Sequence, residues 1–181
     1  MNLRISIVGM GDTGTLAARR LLEAEPDIAL TVYDLDPERC EPFRGSATLA
    51  TSAREALAES DTIVLALPRE REIDRTLERF SDGAVTAPIR GKLIVDLAPP
   101  PPERAHRLDR AVALAGGRYA SIPGLVIDDA GSMAGGIAGG IAGGIAGGIA
   151  GGIAGGIAGG IAGNPAGNAQ RRLLRLLLCP A

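Results

Sequence analysis

The 181-residue chain has few of the residues that most often carry metal, redox or nucleic-acid chemistry. It contains one histidine, two cysteines, no tryptophan, and two each of tyrosine and phenylalanine. A single histidine excludes a histidine-rich metal site, so we expect no metal centre. So few aromatic rings exclude a stacking platform for nucleic-acid bases. Cys40 and Cys179 form neither a ligand pair nor a disulfide framework, which suits a reduced, cytoplasmic protein.

The charge balance excludes a second class of partner. The chain carries 19 basic and 21 acidic residues, so it does not grip nucleic acid by bulk charge. Lys92 is the only lysine, which limits the catalysts that the sequence can offer. The N-terminus has no basic region followed by a long apolar core, and we therefore expect no signal peptide.

Composition divides the chain into three segments. Residues 1–133 hold all 21 acidic residues, whereas residues 134–163 contain only glycine, isoleucine and alanine. The final segment, 164–181, is apolar apart from three arginines and a few polar residues. We expect a globular domain over 1–133, a low-complexity repeat over 134–163 and a short basic-apolar tail over 164–181.

The repeat consists of the unit Gly-Gly-Ile-Ala, which occurs seven times without substitution from Gly135 to Ala162. Glycine at half of the positions opposes regular structure and favours a linker. As a strand, the repeat would be silk-like and prone to self-association. As a helix, it would be uncharged and long enough to span a bilayer, although so much glycine makes membrane insertion an unfavourable alternative.

In the first 122 residues, β-prone runs alternate with segments of helical periodicity. This alternation predicts an α/β domain with a Rossmann-type, doubly wound parallel sheet. Ser52 is a candidate N-cap with Glu55 at the capping-box position, and the spacing of Ile73, Leu77 and Phe80 extends a helix to residue 80. The predicted strands cover 3–8, 28–33, 62–67, 92–95 and 118–122, and the predicted helices cover 15–25, 53–59, 69–80 and 101–115.

A glycine-rich loop follows the first predicted strand. It reads Gly9-Met10-Gly11-Asp12-Thr13-Gly14 and leads into a helix, with an acidic residue, Asp34, at the end of the second strand. In a dinucleotide-binding loop, the first glycine allows the tight turn and the second lets the backbone approach a pyrophosphate. The third lets helix and strand pack closely, and the helix N-terminus attracts the anion. The motif in this context predicts dinucleotide binding.

Asp34 bears on the choice between NAD and NADP. A carboxylate at the end of the second strand accepts hydrogen bonds from ribose hydroxyls and repels a 2′-phosphate, so NAD is favoured over NADP. Arg39 lies nearby in sequence and argues in the other direction, because an arginine can receive a 2′-phosphate.

Four stretches in series carry a family pattern: Ile7–Gly14, Val32–Asp34, Ile63–Pro68 and Leu93–Ala98. They resemble the β-hydroxyacid dehydrogenases, the family of 3-hydroxyisobutyrate and 6-phosphogluconate dehydrogenases, to which imine reductases are similar. Arg118–Pro123 resembles the strand before that family's substrate loop. The resemblance covers about residues 3–125 and implies a nicotinamide-dependent oxidoreductase acting on a small hydroxy acid or imine. It also implies that Leu67, Pro68 and Asp96 contact the cofactor.

The chain departs from that family where the chemistry is expected. The family's catalytic lysine would fall at Arg171, and arginine does not release its proton at neutral pH. Leu125 stands where the family's substrate loop has a serine. We expect the family's helical C-terminal domain to be absent, and the resemblance assigns no catalytic residue to this sequence. Two alternatives therefore stay open: an NAD-binding module that has lost catalysis, and a structural or membrane-associated protein that acts through its repeat.

Two further groups have ordinary explanations. His106 lies in a predicted helix without a serine, cysteine or metal-binding partner at useful spacing, so we expect it to face solvent. The alternating charges of Arg69–Glu72 are typical of a solvated helix face.

Overall fold

Short hydrophobic segments form the strands because they are buried on both faces of a parallel sheet. A computed structural model of the chain describes residues 3–80, 83–98 and 101–122, all within the unit Met1–Pro123. The strands are β1 (Arg4–Val8), β2 (Ala29–Tyr33), β3 (Thr48–Leu49), β4 (Thr62–Leu65), β5 (Leu93–Asp96) and β6 (Arg118–Ser121). The helices are α1 (Asp12–Ala24), α2 (Ala53–Glu59), α3 (Glu70–Thr76) and α4 (Pro102–Leu114), with 3₁₀ turns at Pro37–Arg39 and Glu41–Phe43.

All strand pairs are parallel, and the sheet order is β3-β2-β1-β4-β5-β6. The predicted Rossmann-type sheet is thereby confirmed. The order reverses between β1 and β4, which therefore flank the topological switch point. In open α/β sheets, ligands bind at this point, outside the carboxyl ends of the strands.

The main hydrophobic core among the described residues lies between the sheet and helices α2, α3 and α4. Leu57, Ile73 and Val112 come from the three helices and pack with Ile63 and Ile94 of the sheet. Helix α1 contacts β1 through a buried stripe of small and apolar residues, Gly14, Ala17, Ala18 and Leu21. The core thus fixes the strand ends at which the glycine-rich loop sits.

Most predicted elements are confirmed, including the N-cap of α2. The Ser52 side chain accepts a hydrogen bond from Glu55 N, and the helix covers Ala53–Glu59. Glu55 in turn accepts from the Thr51 backbone N–H, one residue before the cap.

Three element predictions need correction. Helix α1 begins three residues earlier than predicted, because tertiary packing places Gly14 inside the helix despite its low propensity. The predicted helix over 69–80 is wrong at its end: α3 stops at Thr76, Glu78 has a φ of +50°, and Phe80 is exposed. Strand β3 was not predicted, since two residues show no periodicity.

The repeat over 134–163, the tail over 164–181 and the boundary at residue 133 lie outside the described residues. Arg171 and Leu125, where the sequence departs from the dehydrogenase pattern, also lie outside them. In the part of the chain that the structure describes, no helix has the length and hydropathy needed to cross a membrane.

Candidate functional site

The loop between β1 and α1 has a geometry that only glycine permits at two positions. Gly9 has a φ of +96°, and a Cβ there would lie 2.6 Å from the Ala66 carbonyl oxygen. A Cβ on Gly14 would lie 1.8 Å from the Gly9 carbonyl oxygen, so any side chain would push helix and loop apart. These are the tight turn and the close helix–strand packing that a dinucleotide-binding loop requires.

Gly11 differs from the other two glycines because the space beside it is open. Its φ is −71°, and a Cβ there would meet only the Arg39 guanidinium, at 3.9 Å. Gly11 is also the N-cap of α1 and supplies no side-chain hydrogen bond to the first turn. The leading N–H groups of α1 therefore remain available to an anion beside Gly11, where the helix dipole adds to the attraction.

The neighbours of Gly11 in the loop differ in exposure. Met10 is buried, whereas Thr13 is partly buried and its neighbour Asp12 is exposed in the first turn of α1. A carboxylate at this position stabilises the helix dipole but repels an approaching phosphate. The charge of Asp12, the first residue of α1, therefore opposes the anion that the backbone N–H groups favour.

Asp34 follows β2 and ties the end of that strand to the loop. Its Oδ2 accepts a hydrogen bond from the Met10 backbone N–H at 2.6 Å, and its Oδ1 accepts from Asp36 N at 2.9 Å. The sequence analysis did not foresee this structural role. Each carboxylate oxygen has a second lone pair, so Asp34 retains acceptor capacity for a ligand hydroxyl.

Arg39 and Leu35 lie on the same side of the loop as Asp34. The Arg39 Nε is 3.5 Å from Asp36 Oδ2 in an exposed ion pair, and its guanidinium lies near Gly11. Leu35 is 63% exposed, which is unusual for a large aliphatic side chain. The carboxyl end of β2 therefore carries an apolar surface, two carboxylates and one guanidinium.

Leu67 and Pro68 follow β4, on the other side of the switch point. The Leu67 side chain lies against the loop, because its Cδ2 would be 2.9 Å from a Cβ on Gly9. Leu67 is partly buried and Pro68 is exposed. Both residues thus border the crevice at the carboxyl ends of β1 and β4.

Asp96 ends β5 and is completely buried, with 0% of its surface exposed. Its Oδ2 accepts from the Tyr119 hydroxyl at 2.9 Å, and its Oδ1 accepts from Ala98 N at 3.0 Å. Burial raises the pKa of the Asp96 carboxyl, opposed by those two donors and by the charge of Arg104. Burial and the neighbouring Asp96 also raise the pKa of Tyr119. The Asp96 side chain therefore fixes the segment that follows β5 and links it to Tyr119 of β6.

Tyr119, the partner of Asp96, is not among the residues predicted for the site from the sequence. The strand register contains the signal, since Tyr119 lies opposite Ile94 and therefore shares a sheet face with Asp96 two residues later. A register is not visible until the order of the strands is known.

Lys92 lies immediately before β5, at the amino ends of the strands and so away from the glycine loop. Its Nζ donates to the carbonyl oxygens of Leu57 and Ala58 at the end of α2. Burial lowers its pKa. His106 is exposed on α4, as expected. Neither residue lies among the glycine loop and its neighbours. Within 3–80, 83–98 and 101–122, no group of three or more histidine, cysteine or carboxylate side chains could hold a metal ion.

Comparison with known proteins agrees with this geometry. Residues 4–170 match the family model of the NAD binding domain of 6-phosphogluconate dehydrogenase. The chain is 28% identical over 122 residues to 2-hydroxy-3-oxopropionate reductase of Escherichia coli K12, which covers 67% of this chain and 40% of that protein.

Solved structures of imine reductases are similar to the same part of the chain. One from Myxococcus stipitatus in complex with NADP⁺ has 26% identity and a TM-score of 0.61, covering 68% of this chain and 41% of that one. Its V8 variant in complex with NAD⁺ has 27% identity and a TM-score of 0.62, covering 70% and 42%. A reductive aminase from Aspergillus terreus in complex with NADPH and ethyl levulinate has 25% identity and a TM-score of 0.57, covering 67% and 40%.

The chain spans about 40% of the length of these relatives. The matched part is the dinucleotide-binding part, and the family model extends over most of the 181 residues. The resemblance to the β-hydroxyacid dehydrogenases is confirmed. The chain belongs to the NAD-binding domain family of 6-phosphogluconate dehydrogenase.

Proposed function

We propose that this chain binds NAD in the crevice between β1 and β4 and forms the cofactor half of an oxidoreductase. The observation that carries the proposal is the loop itself. Gly9 and Gly14 are sterically required, whereas Gly11 leaves an open space at an uncapped helix N-terminus. That combination is suited to a pyrophosphate and has no evident structural use of its own.

The two halves of the sheet suggest how a dinucleotide would lie. The pyrophosphate would approach Gly11 and the N–H groups of Asp12 and Thr13. The buried Met10, whose N–H is bonded to Asp34, would keep the loop in place. The adenosine ribose would reach Asp34, and the nicotinamide half would extend over the ends of β4 and β5. The residues that we assign to the cofactor site are Gly9, Met10, Gly11, Asp12, Thr13, Gly14, Asp34, Leu67, Pro68 and Asp96, the last through its loop.

We propose that NAD is preferred over NADP. Asp34 retains lone pairs for ribose hydroxyls, and a 2′-phosphate would meet the carboxylates of both Asp34 and Asp36. Arg39 is a cation on the same turn, and its Nε lies 3.5 Å from Asp36 Oδ2. One related imine reductase structure is a complex with NADP⁺, and that of its V8 variant is a complex with NAD⁺. The proposed preference therefore rests on these side chains alone.

Calorimetric titration of the full chain with NADH, and separately with NADPH, tests both proposals. Gly11→Leu is the decisive variant, because its backbone φ suits any residue and the space beside it is open in the folded chain. The variant should fold normally and lose NADH binding. Ala113→Leu, which adds the same bulk at an exposed position on α4, should bind as the unmodified chain does. Equal NADH affinity in both variants would contradict the proposed site.

The reaction that we propose is hydride transfer between the nicotinamide and a small hydroxy acid or imine. The cofactor supplies or accepts the hydride, while the chain binds it, orients it and sets which nucleotide enters. The 28% sequence identity with 2-hydroxy-3-oxopropionate reductase supports the hydroxy acid, and the similarity to imine reductases supports the imine. NADH oxidation with a panel of 3-oxo acids and cyclic imines tests the proposal.

One observation favours a second candidate, a binding module without catalysis. The only lysine in the sequence, Lys92, is bonded to the end of α2 at the far edge of the sheet. A base of the lysine type is therefore not available to this site from the chain itself. This candidate predicts saturable NADH binding without turnover. NADH oxidation that Gly11→Leu abolishes would exclude it.

We also retain the division into 1–133, 134–163 and 164–181 as a proposal, with self-association as the candidate role of the repeat. Deleting 134–163 should lower the oligomeric state measured by light scattering if that role is correct, while NADH affinity stays constant. We propose a cytoplasmic location on the grounds of cysteine usage, since Cys40 is a buried free thiol.

A further inference from the structure

The carboxyl ends of β4, β5 and β6 contain one interaction that dinucleotide binding alone does not explain. Asp96 is the only fully buried carboxylate within the described ranges. Burying a carboxylate is costly unless it is well bonded, so its retention here calls for a compensating role.

Asp96 joins three neighbouring segments at the end of the sheet. Its side chain accepts from the Ala98 N–H and from the Tyr119 hydroxyl, and its backbone carbonyl accepts from Ile122 N at 2.8 Å. The Leu97 N–H is bonded to the Leu65 carbonyl of β4 at 2.9 Å. Two consecutive N–H groups are therefore held at fixed positions on the segment Leu97–Ala98.

This segment lies in the half of the sheet opposite the glycine loop. A dinucleotide that spans the switch point places one nucleotide on each half, and Asp34 with Arg39 marks the adenosine side. The second nucleotide, which carries the nicotinamide, then lies over the ends of β4 to β6. Ala98, which is partly exposed beside the buried Leu97, is part of the surface that it would meet.

We propose that Tyr119 and Asp96 are positioning residues that hold Leu97–Ala98 in place beneath the nicotinamide half of the cofactor. The inference rests on the proposed dinucleotide site. The Tyr119 hydroxyl satisfies one oxygen of Asp96, which leaves the other oxygen directed at Ala98 N. Without the hydroxyl, the buried carboxylate would lack a partner on Oδ2 and would turn or take up a proton, so that the bond to Ala98 weakens.

Binding of NADH and of ADP-ribose to the Tyr119→Phe chain separates this role from a merely structural one. ADP-ribose contains the adenosine and pyrophosphate parts but no nicotinamide. We expect NADH to bind about tenfold more weakly to the variant, on the scale of one hydrogen bond to a charged group. ADP-ribose should change by less than about twofold on the same reasoning. The fluorescence of bound NADH, which reports the surroundings of the dihydronicotinamide, should fall as well.

Tyr33→Phe is the matched control. Tyr33 is the other tyrosine of the chain, and its hydroxyl takes part in no hydrogen bond recorded among the described residues. It should leave both affinities unchanged. Asp96→Asn is the conservative variant, because the amide oxygen still accepts from Ala98 N and the amide nitrogen can donate to the Tyr119 oxygen. It should retain most of the NADH affinity because both hydrogen bonds are kept. Asp96→Ala, which removes both acceptors, should weaken NADH binding and serves as the test if Tyr119→Phe fails to fold.

The outcomes are distinct. Unchanged NADH binding in Tyr119→Phe, or equal weakening of NADH and ADP-ribose, would overturn the positioning role while leaving the proposed function intact. Failure of the unmodified chain to bind either ligand would instead overturn the proposed function and this inference with it. A large loss of NADH affinity in Asp96→Asn would also contradict the positioning role, because the amide keeps both hydrogen bonds on which that role rests.

Discussion

Asp34→Ala tests whether one carboxylate both organises the loop and selects the nucleotide. The substitution removes two acceptors, one for Met10 N and one for Asp36 N. Asp36 is exposed, so its N–H can bond to water, whereas Met10 is buried and its N–H would lose its partner. An unsatisfied buried N–H costs about 1–3 kcal/mol, so the free energy of unfolding should fall by about 2 kcal/mol.

That loss sets the expected change in melting temperature. For a chain of this size, about 2 kcal/mol corresponds to a decrease of roughly 4–8 °C. Asp61→Ala is the control, because it removes an exposed carboxylate whose ion pair with Arg4 lies at the other edge of the sheet. Such surface pairs contribute about 0–1 kcal/mol, so the control should melt within roughly 4 °C of the unmodified chain.

Ligand affinity separates the two roles of Asp34. Loss of the ribose contact should weaken NADH by about 30-fold, which corresponds to roughly 2 kcal/mol. NADPH loses the ordered loop but also the repulsion at its 2′-phosphate, so its affinity should change by no more than about threefold. Calorimetry and differential scanning calorimetry on the same preparations measure both effects. Equal weakening of NADH and NADPH would refute the ribose contact, and an unchanged melting temperature would refute the role in the loop.

The remaining predictions address separate parts of the fold. Asp12→Asn should tighten NADH binding about twofold to fivefold by removing charge beside the pyrophosphate, whereas Asp27→Asn, exposed in the turn before β2, should not change it in the same titration. Gly14→Ala should abolish NADH binding and lower the free energy of unfolding by about 1–3 kcal/mol in urea titrations, because the added carbon overlaps the backbone. Because burial raises the pKa of Asp96, its contribution to stability is greatest below the ordinary carboxyl pKa and is lost as pH rises through the raised value. Asp96→Asn should therefore gain stability relative to the unmodified chain as pH rises from 4 to 7. Lys92→Met should lower unfolding stability by about 1–2 kcal/mol without altering NADH affinity, since the ammonium bonds only the end of α2.

The glycine loop and its strands were predictable because each depends on local sequence. Buried parallel strands appear as apolar runs, and the order Gly9, Gly11, Gly14 followed by Asp34 encodes turn, approach and packing along one short stretch. The end of α3 was not predictable from spacing, because Leu77 is buried as expected but reaches the core from a turn. Helical spacing shows which residues face the core and does not show where the backbone leaves the helix.

The long-range hydrogen-bond partners could not be predicted from the sequence for a different reason. Asp34 was expected to face a ligand, yet its two oxygens already accept from the backbone of the loop and of its own turn. Asp96 stays a predicted cofactor-site residue, and its carboxylate accepts from Tyr119 of the adjacent strand, a partner that the sequence did not indicate. Both interactions depend on strands that become neighbours only in the folded sheet, so the residue types were visible and their partners were not.

The same contacts divide the tasks of the site between backbone and side chains. The pyrophosphate would be held by backbone N–H groups, which need only glycine and a helix start, so a short motif suffices to predict it. In the proposed site, nucleotide choice and the nicotinamide surface would depend instead on the carboxylates of Asp34 and Asp96. Each accepts one hydrogen bond from another segment and one from the backbone N–H two residues later. Reduction of a carbonyl or imine needs one further group, a proton donor at the reacting atom. Lys92 cannot be that proton donor, since its ammonium is bonded to the carbonyl oxygens of Leu57 and Ala58 at the amino ends of the strands. The proposed cofactor site therefore does not involve Lys92, and NADH affinity is to be measured independently of turnover.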